Sequence, residues 1–184
     1  MATTEINGAL SKDQESKSAP SLMLQVFDRI ALPTFVIDNN HIILHWNSAI
    51  EALSGLSREE MVGTSDQWKP FYQSPRPCLA DLILDGGHDE DVQHYYQDKY
   101  RTSELIPDAY EAEDFFPECG TSGEWLHFTA ASLKDDNGNV IGAIETLSNI
   151  SARKKAEFEL IERERTYREL SITDALTGLS NSRC

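Results

Sequence analysis

The fold is decided by residues 34–55, which read T-F-V-I-D-N-N-H-I-I-L-H-W-N-S-A-I-E-A-L-S-G. The β-branched content of residues 34–38 predicts a strand, the two asparagines after it predict a turn, and residues 42–46 form the return strand of a hairpin. Asn47 stands where the N-cap of a following helix belongs, and Gly55 stands just beyond the end of that helix. The stretch therefore predicts a strand, a turn, a second strand and a capped helix.

The next residues continue the pattern. Ser57 and Glu60 are spaced as a capping box that begins a second short helix, and Gly63 ends it. Together these residues resemble the first half of a PAS domain, and the matching positions are Trp46, Asn47, Ala49, Glu51, Leu53, Gly55, Glu59, Glu60 and Gly63. The resemblance extends over about residues 31–151. It implies a sensor domain that can enclose a small ligand between its sheet and its helices.

The middle of the chain is irregular. Residues 64–77 hold three prolines within eight positions, which predicts extended chain rather than helix. Trp68, Phe71 and Tyr72 carry too much aromatic surface to stay in water, so they either fill the domain core or line a ligand cavity. Residues 78–84 and 89–103 are predicted to be helices.

The second half returns to strands, at residues 109–116, 124–133 and 140–149. On the middle strand, alternation places Trp125 on one face and Leu126 and Phe128 on the other. With the first hairpin, these strands predict an α+β fold: a PAS-like five-stranded antiparallel sheet with helices on one face. An N-terminal amphipathic helix and a C-terminal coiled-coil-type helix extend it.

The two ends complete the domain organisation. Residues 1–20 lack bulky apolar side chains, so they are expected to be a disordered tail. Met23, Phe27 and Ile30 recur at helical spacing, which predicts an amphipathic helix that Pro33 ends. The expected organisation is a tail at 1–20, a PAS sensor domain with its N-terminal helix at 21–151, a signalling helix at 152–173 and the start of a truncated catalytic domain at 174–184.

The signalling helix is predicted from a charged stretch without Gly or Pro. Its steps of four and three residues are the spacing of a coiled-coil seam. The seam positions are Ala156, Leu160, Arg163, Tyr167 and Leu170. Fewer than four heptads are short for a free coiled coil, so pairing is expected only with the help of a neighbouring domain. The alternative is a solvated surface helix packed on its own domain.

Residues 174–183, D-A-L-T-G-L-S-N-S-R, resemble the opening of the GGDEF (diguanylate cyclase) domain, with Ser182 in the place of its usual first Arg. The 184 residues contain no G-G-D-E-F signature, so this chain is expected to be catalytically inactive. Residues 149–151, N-I-S, resemble the D-I-T that closes many PAS domains. The residues expected to transmit the signal are Asn149, Ser151, Leu160, Tyr167, Leu170 and Asp174.

Composition excludes several classes of function. The net charge of −15 and the pI near 4.6 argue against binding to nucleic acid and to anionic membrane surfaces. The three cysteines show no C-x-x-C spacing, which fits a reducing cytoplasm. No apolar run is long enough to span a membrane, and the N-terminus does not resemble a secretory signal. We therefore expect a cytoplasmic protein.

No catalytic residues and no metal site are predicted, because the chain has none of the common catalytic motifs and its five histidines are scattered. The expected cofactor is an unknown small organic ligand in the PAS cavity, and haem or flavin is not expected. Mg and GTP would belong only to the cyclase domain. The predicted ligand-pocket residues are Trp46, Trp68, Phe71, Tyr72, Phe116, Trp125 and Phe128.

The sequence thus predicts the sensory PAS module of a diguanylate cyclase, which passes ligand or redox state through a dimeric helix to control the synthesis of cyclic di-GMP from GTP. The homodimer is expected to form through the N-terminal and C-terminal helices. Two alternatives remain: the PAS sensor of a histidine kinase, and a stand-alone module for ligand binding or dimerisation.

Overall fold

The computed structural model describes residues 12–86 and 89–172, which form six helices and six strands. The helices are α1 (Lys12–Arg29), α2 (Ser48–Ser54), α3 (Arg58–Met61), α4 (Leu79–Leu84), α5 (Asp89–Tyr96) and α6 (Ser151–Ile172). The strands are β1 (Thr34–Asp38), β2 (Ile43–Trp46), β3 (Tyr100–Thr102), β4 (Ala109–Phe116), β5 (Glu124–Lys134) and β6 (Val140–Asn149). A single 3-10 turn at Gln97–Lys99 joins α5 to β3.

The strands form one antiparallel sheet in the order β2-β1-β6-β5-β4-β3. β6 lies inside the sheet, where it pairs with β1 on one side and with β5 on the other. Ile144 of β6 is opposite Val36 of β1 and Ala131 of β5, and this register fixes which side chains face each way. Ala143, Glu145 and Leu147 face the helices as a result, and all three are buried.

The core fills the space between this inner face of the sheet and the helices α2 to α5. Ile50 of α2, Met61 of α3 and Leu79 of α4 are buried in the same cluster as the inner-face residues Leu126 and Phe128 of β5. The predicted α+β fold is confirmed. None of the helices in the described ranges combines the length and the apolar content that a membrane crossing requires.

The sheet has six strands rather than the predicted five. The sequence assigned residues 89–103 to one helix, but α5 ends at Tyr96 and Gln97 adopts a positive φ of 52°, a conformation that cannot continue a helix. β3 then pairs with β4, with Tyr100 opposite Ala112. The Tyr-Arg-Thr composition of β3 suits a strand, and pairing with β4 outweighed the helical spacing of the tyrosines.

The first helix is longer than predicted at its N-terminal end. α1 begins at Lys12, so residues 12–20, expected to belong to a disordered tail, are helical instead. Lys and Gln residues favour helix, and a helix that has a packed C-terminal end can extend into a polar segment of this kind. Pro20 lies inside α1, where it removes one backbone hydrogen bond. Residues 1–11 of the predicted tail lie outside the described ranges.

The predicted caps after the first hairpin are confirmed. Asn47 caps α2 through the hydrogen bond that its Oδ1 accepts from the backbone N–H of Ile50, and Gly55 ends the helix with a φ of 73°. The capping box of α3 forms as well, with the backbone N–H of Ser57 donating to Glu60 Oε2 at 2.9 Å.

Asn47 also joins three parts of the fold, because both polar atoms of its buried side chain make more than one hydrogen bond. Its Oδ1 accepts a second hydrogen bond from the backbone N–H of Thr34 at 3.0 Å. Its Nδ2 donates to the carbonyl oxygens of Phe27, Ile30 and Leu32, at 3.3, 3.3 and 2.9 Å. The side chain therefore holds the end of α1 against the start of β1 and the start of α2.

We expect Asn47→Ala to lower the free energy of unfolding by about 2–4 kcal/mol, because it removes a helix cap and leaves buried backbone groups without partners. Urea unfolding followed by circular dichroism measures the change. The matched control is Asn39→Ala at an exposed turn position, where a change within about 0.5 kcal/mol is expected. Equal losses for the two variants would contradict this role of Asn47.

Candidate functional site

Four of the seven predicted pocket residues meet on the inner face of the sheet. The ring of Phe116 lies 5.6 Å from that of Phe71, 5.7 Å from that of Tyr72 and 5.9 Å from that of Phe128, measured between centroids. Tyr96 of α5 joins them, 5.6 Å from Phe128. These five rings form the inner aromatic cluster.

The other three predicted pocket residues lie elsewhere. Trp46 is buried against Phe35 and its indole N–H donates to the carbonyl oxygen of Leu56, so it belongs to the packing of β1 and β2. Trp68 is partly buried and lines an open cavity beside the cluster. Trp125 lies on the opposite, outer face of the sheet. Its assignment to the pocket is corrected, because alternation along β5 cannot place Trp125 and Phe128 on the same face.

Glu145, an ionisable residue that was not among the predicted pocket residues, lies at the centre of the inner face. Its side chain is 3% exposed, and its Oε2 accepts a hydrogen bond from the backbone N–H of Ala80 at 2.8 Å. Burial raises the pKa of Glu145 to about 8, although the Ala80 bond favours the anion. The sequence signal that could have identified Glu145 is its position in β6, two residues from each of the apolar Ala143 and Leu147, on the face that they share.

Arg76 lies against the inner aromatic cluster from the irregular segment before α4. Its guanidinium carbon is 4.0 Å from the ring centroid of Tyr72 and 5.1 Å from the rings of Tyr95 and Tyr96. Aromatic faces attract a cation but leave the N–H groups at its edge free to bond elsewhere. The Nε and Nη2 atoms of Arg76 are buried without a hydrogen-bond partner in the part of the chain that the structure describes.

An open cavity of about 510 Å³ lies next to Arg76. Its wall combines apolar and polar side chains, among them Trp68, Gln67, Pro75, Pro77, His41 and Asp81. Asp81 organises the polar side. It accepts hydrogen bonds from Gln67 Nε2 at 2.6 Å, from the backbone N–H of Cys78 at 2.8 Å and from His41 Nδ1 at 2.8 Å.

His41 connects two carboxylates at the mouth of this cavity. Its Nδ1 lies 2.8 Å from Asp81 Oδ1 and its Nε2 lies 3.1 Å from Asp85 Oδ1. Burial opposes the charged ring, but the hydrogen bonds and charges of the two aspartates outweigh it and raise the pKa of His41. No set of three His, Cys, Asp or Glu side chains suited to a metal ion occurs within the described ranges.

A second arrangement of polar groups surrounds the start of α6, on the outer side of the sheet. Ser151 Oγ donates to Glu124 Oε2 at 2.5 Å and accepts from the backbone N–H of Trp125 at 2.9 Å. The backbone N–H of Ser151 donates to Asn149 Oδ1 at 2.9 Å, so the Asn that replaces the usual Asp caps the helix. We call Glu124, Trp125, Asn149 and Ser151 the helix junction.

Charged side chains from β4 strengthen this attachment. Glu113 accepts a hydrogen bond from Arg153 at 2.5 Å and forms a salt bridge of 2.8 Å with Lys154. Burial works against the Glu113 anion, but these two cations outweigh it and lower the pKa of Glu113. Lys154 Nζ also lies 5.4 Å from the centre of the Trp125 ring. Glu113 was not predicted as part of this site, because nothing local in the sequence relates it to a helix forty residues later.

Beyond the helix junction, α6 extends away from the sheet. Phe158 still touches Trp125, with 6.5 Å between the rings, whereas Leu160 and Tyr167 are 58% and 67% exposed. Leu170 belongs to α6, but its side chain lies outside the described part of the chain, as does all of Asp174. Of the six predicted transmission residues, Asn149 and Ser151 are thus placed at the helix junction.

Comparison with known proteins agrees with this architecture. A family model described as PAS fold matches residues 27–155. An RNA-binding light-oxygen-voltage receptor superposes with a TM-score of 0.53 at 14% identity over 90% of this chain, which spans 41% of that receptor. The PAS domain of a protein from Colwellia psychrerythraea superposes with a TM-score of 0.45 at 16% identity, and the match covers 73% of this chain and 98% of that one. The PAS domain of Bordetella pertussis BvgS superposes with a TM-score of 0.46 at 13% identity, and the match covers 80% of this chain and 98% of that one. No curated protein matches the chain.

We expect Glu145→Gln to flatten the dependence of stability on pH. The folded-state pKa of about 8 is above the usual 4.5, so the stability that the protonated acid contributes is complete below pH 4.5 and is lost as pH rises to about 8. Glutamine keeps an oxygen that can accept from Ala80 and has no proton to lose.

The measurement is urea unfolding of both proteins at a series of pH values between these limits. The variant should gain stability relative to the wild type as pH rises. Glu111→Gln is the matched control, at an outer-face position where the pKa is lowered rather than raised. Glu111 is ionised in both the folded and the unfolded state above pH 4.5, so this variant should differ from the wild type by a constant amount across the series. Parallel curves for wild type and Glu145→Gln would show that Glu145 does not titrate as described.

Proposed function

The chain belongs to the PAS fold family, and on this premise we propose that it is the sensory module of a cytoplasmic diguanylate cyclase. A small molecule bound beside the inner aromatic cluster favours one packing of the sheet and its helices. That packing sets the position of α6 through the helix junction. The support comes from the contacts that link the two sites and from the sequence after α6.

The single observation that carries the proposal is the course of β6. Glu145 points from this strand into the inner face, and Asn149, four residues later, caps the first turn of α6. A β-strand rises about 3.3 Å per residue, so the two sites lie roughly 13 Å apart along one paired strand. A displacement of β6 at Glu145 therefore reaches α6 without crossing a loop.

The neighbouring strands provide parallel connections. On β5, Phe128 belongs to the inner aromatic cluster, and Trp125 donates its backbone N–H to Ser151. On β4, Phe116 lies at the centre of the cluster, and Glu113 binds Lys154. Each of the three strands that line the cluster thus also holds the start of α6.

The mechanism is a shift between two populations of the same module. A ligand changes this equilibrium only by the difference between its affinities for the two packings. Arg76 and Glu145 are suited to produce such a difference, because their electrostatic interaction is buried and depends on what else contacts them. The shift would alter the direction in which α6 leaves Ser151.

The proposal includes a homodimer that pairs α6 with α6 of a second copy. At 3.6 residues per turn, Ser151, Lys154 and Phe158 share the side of α6 that faces the sheet, and Leu160 and Tyr167 share the opposite side. The latter two are exposed, as the seam of a paired helix would be in a single copy. The exposed apolar residues Leu22, Met23 and Val26 of α1 offer a second contact.

The cyclase output rests on the D-A-L-T-G-L resemblance at residues 174–179, which lies outside the described part of the chain. In the proposed protein, two paired helices bring two cyclase domains together, and these condense two GTP into cyclic di-GMP with Mg. The codons that follow Cys184 test this output directly. An acidic G-G-D/E-E-F continuation supports it, and a kinase domain with a phosphoacceptor His in its place overturns it.

We expect Leu160→Cys and Tyr167→Cys each to yield a disulfide-linked dimer under mild oxidation, because both positions lie on the proposed seam. The measurement is non-reducing gel electrophoresis, in a Cys184→Ser background. The remaining native thiols, Cys78 and Cys119, are buried.

The matched control is Glu162→Cys, on the side of α6 that faces the sheet, where little cross-linking is expected. If all three variants cross-linked equally, the contact would be collisional. If neither seam variant cross-linked under any condition, the paired stalk would be excluded.

A further inference from the structure

Arg76 lines the open cavity beside Trp68 and carries two hydrogen-bond donors without partners in the part of the chain that the structure describes. They are Nε and Nη2 of Arg76, both buried. The stacking of the guanidinium on Tyr72 fixes its plane, so the edge that carries these N–H groups has a defined direction. A guanidinium edge of this kind matches the two oxygens of a carboxylate, which it can bind in a bidentate manner.

Gln67 also lines this cavity and carries a buried hydrogen-bond acceptor. Gln67 is 3% exposed, and its Oε1 has no hydrogen bond within the described ranges. The orientation of the amide is settled by its other atom, since Nε2 lies 2.6 Å from Asp81 Oδ1 and 3.5 Å from the carbonyl oxygen of His41, and both are acceptors. Oε1 is therefore an oxygen that requires an N–H or O–H donor.

The lining of the cavity fits a small molecule. Trp68, Pro75 and Pro77 supply apolar wall next to Gln67 and Arg76, and the volume of about 510 Å³ is in the range of small-molecule sites. An unsatisfied buried polar group costs about 1–3 kcal/mol, so a ligand that pairs with Oε1 and with the guanidinium edge gains from both.

The charges around the cavity favour a ligand that carries both signs. Arg76 and the His41 ring are the cationic groups, and Lys69 is paired with Asp66 at 2.6 Å. Asp66, Asp81 and Asp85 supply three carboxylates on the wall. Burial raises the pKa of Glu145, which interacts electrostatically with Arg76. A purely anionic molecule would meet the aspartates unfavourably, whereas an ammonium group next to its carboxylate is attracted by them.

We propose that this cavity binds a free amino acid or a close analogue, with its carboxylate on the guanidinium edge of Arg76 and its ammonium donating to Gln67 Oε1. The side chain of the ligand would lie against Trp68. This inference deepens the proposed function, on which it rests, by assigning the chemical class of the sensed molecule.

The test is isothermal titration calorimetry of the purified protein with each standard amino acid. For any that binds, two matched probes follow: the same molecule without its amine, and the same molecule without its carboxylate. Arg76→Gln removes the charge and the forked donors, and Arg76→Lys keeps the charge alone. The control is Arg101→Gln, at an exposed arginine that pairs with Glu111 outside this cavity.

We expect at least one amino acid to bind, and each matched probe to bind at least about tenfold more weakly, which corresponds to about 1.4 kcal/mol. Arg76→Gln should abolish binding, Arg76→Lys should weaken it, and Arg101→Gln should leave it unchanged. Circular dichroism at the titration temperature verifies that each variant is folded.

The inference is overturned if no amino acid binds, if an amine-free analogue binds equally well, or if both Arg76 variants bind as the wild type does. The proposed function is tested separately by cross-linking through Leu160→Cys with and without the bound amino acid. Binding that depends on Arg76 but leaves cross-linking unchanged would preserve the ligand class and contradict signalling through α6.

Discussion

A carboxyl group in the middle of an apolar layer is the constraint around which this domain is arranged. Glu145 cannot remain charged there without compensation, and its Oε2 accepts a hydrogen bond from the backbone N–H of Ala80. That bond joins the central strand of the sheet to the first turn of α4 over 65 residues of sequence. The raised pKa of Glu145 and its interaction with Arg76 follow from the same burial. Glu145 thus places this buried carboxyl on the strand that leads into α6.

The two faces of the sheet make different contacts. Side chains on the inner face form the aromatic cluster, and the outer-face side chains Glu113 and Trp125 contact the start of α6. Because successive residues of a strand point to opposite faces, β4 and β5 each contribute to both, and β6 reaches the helix junction through Asn149 at its end. The outer contacts consist of charge pairs and hydrogen bonds that remain partly accessible to water, and contacts of this kind exchange more easily than a packed core. The junction is thus suited to change while the inner layer stays folded.

The sequence predicted the local features of the fold well. The hairpin, the Asn47 cap, the capping box at Ser57 and the last three strands depend on residues close to one another in the chain, and the structure contains each of them. The sixth strand and the N-terminal part of α1 were not predicted, since the first depends on pairing with β4 and the second lacks an apolar pattern.

The candidate site was predicted only in part. Aromatic content identified Phe71, Tyr72, Phe116 and Phe128, but long-range contacts decide the rest. Arg76 and Gln67 look like ordinary polar residues of an irregular segment until the fold places them against α5 and Asp81. Trp125 is aromatic like the four clustered residues, but its position in the alternation of β5 places it on the outer face.

Coupling between Glu145 and the helix junction is the central claim, and nuclear magnetic resonance of backbone amides tests it most directly. The amide signals of Trp125 and Ser151 would be followed in the wild type and in Glu145→Gln as the pH passes through about 8, the pKa of Glu145. The account predicts that both signals shift with this pKa in the wild type and that this component disappears in the variant. Signals that titrate identically in the two proteins would contradict it, because the inner face and α6 would then be independent.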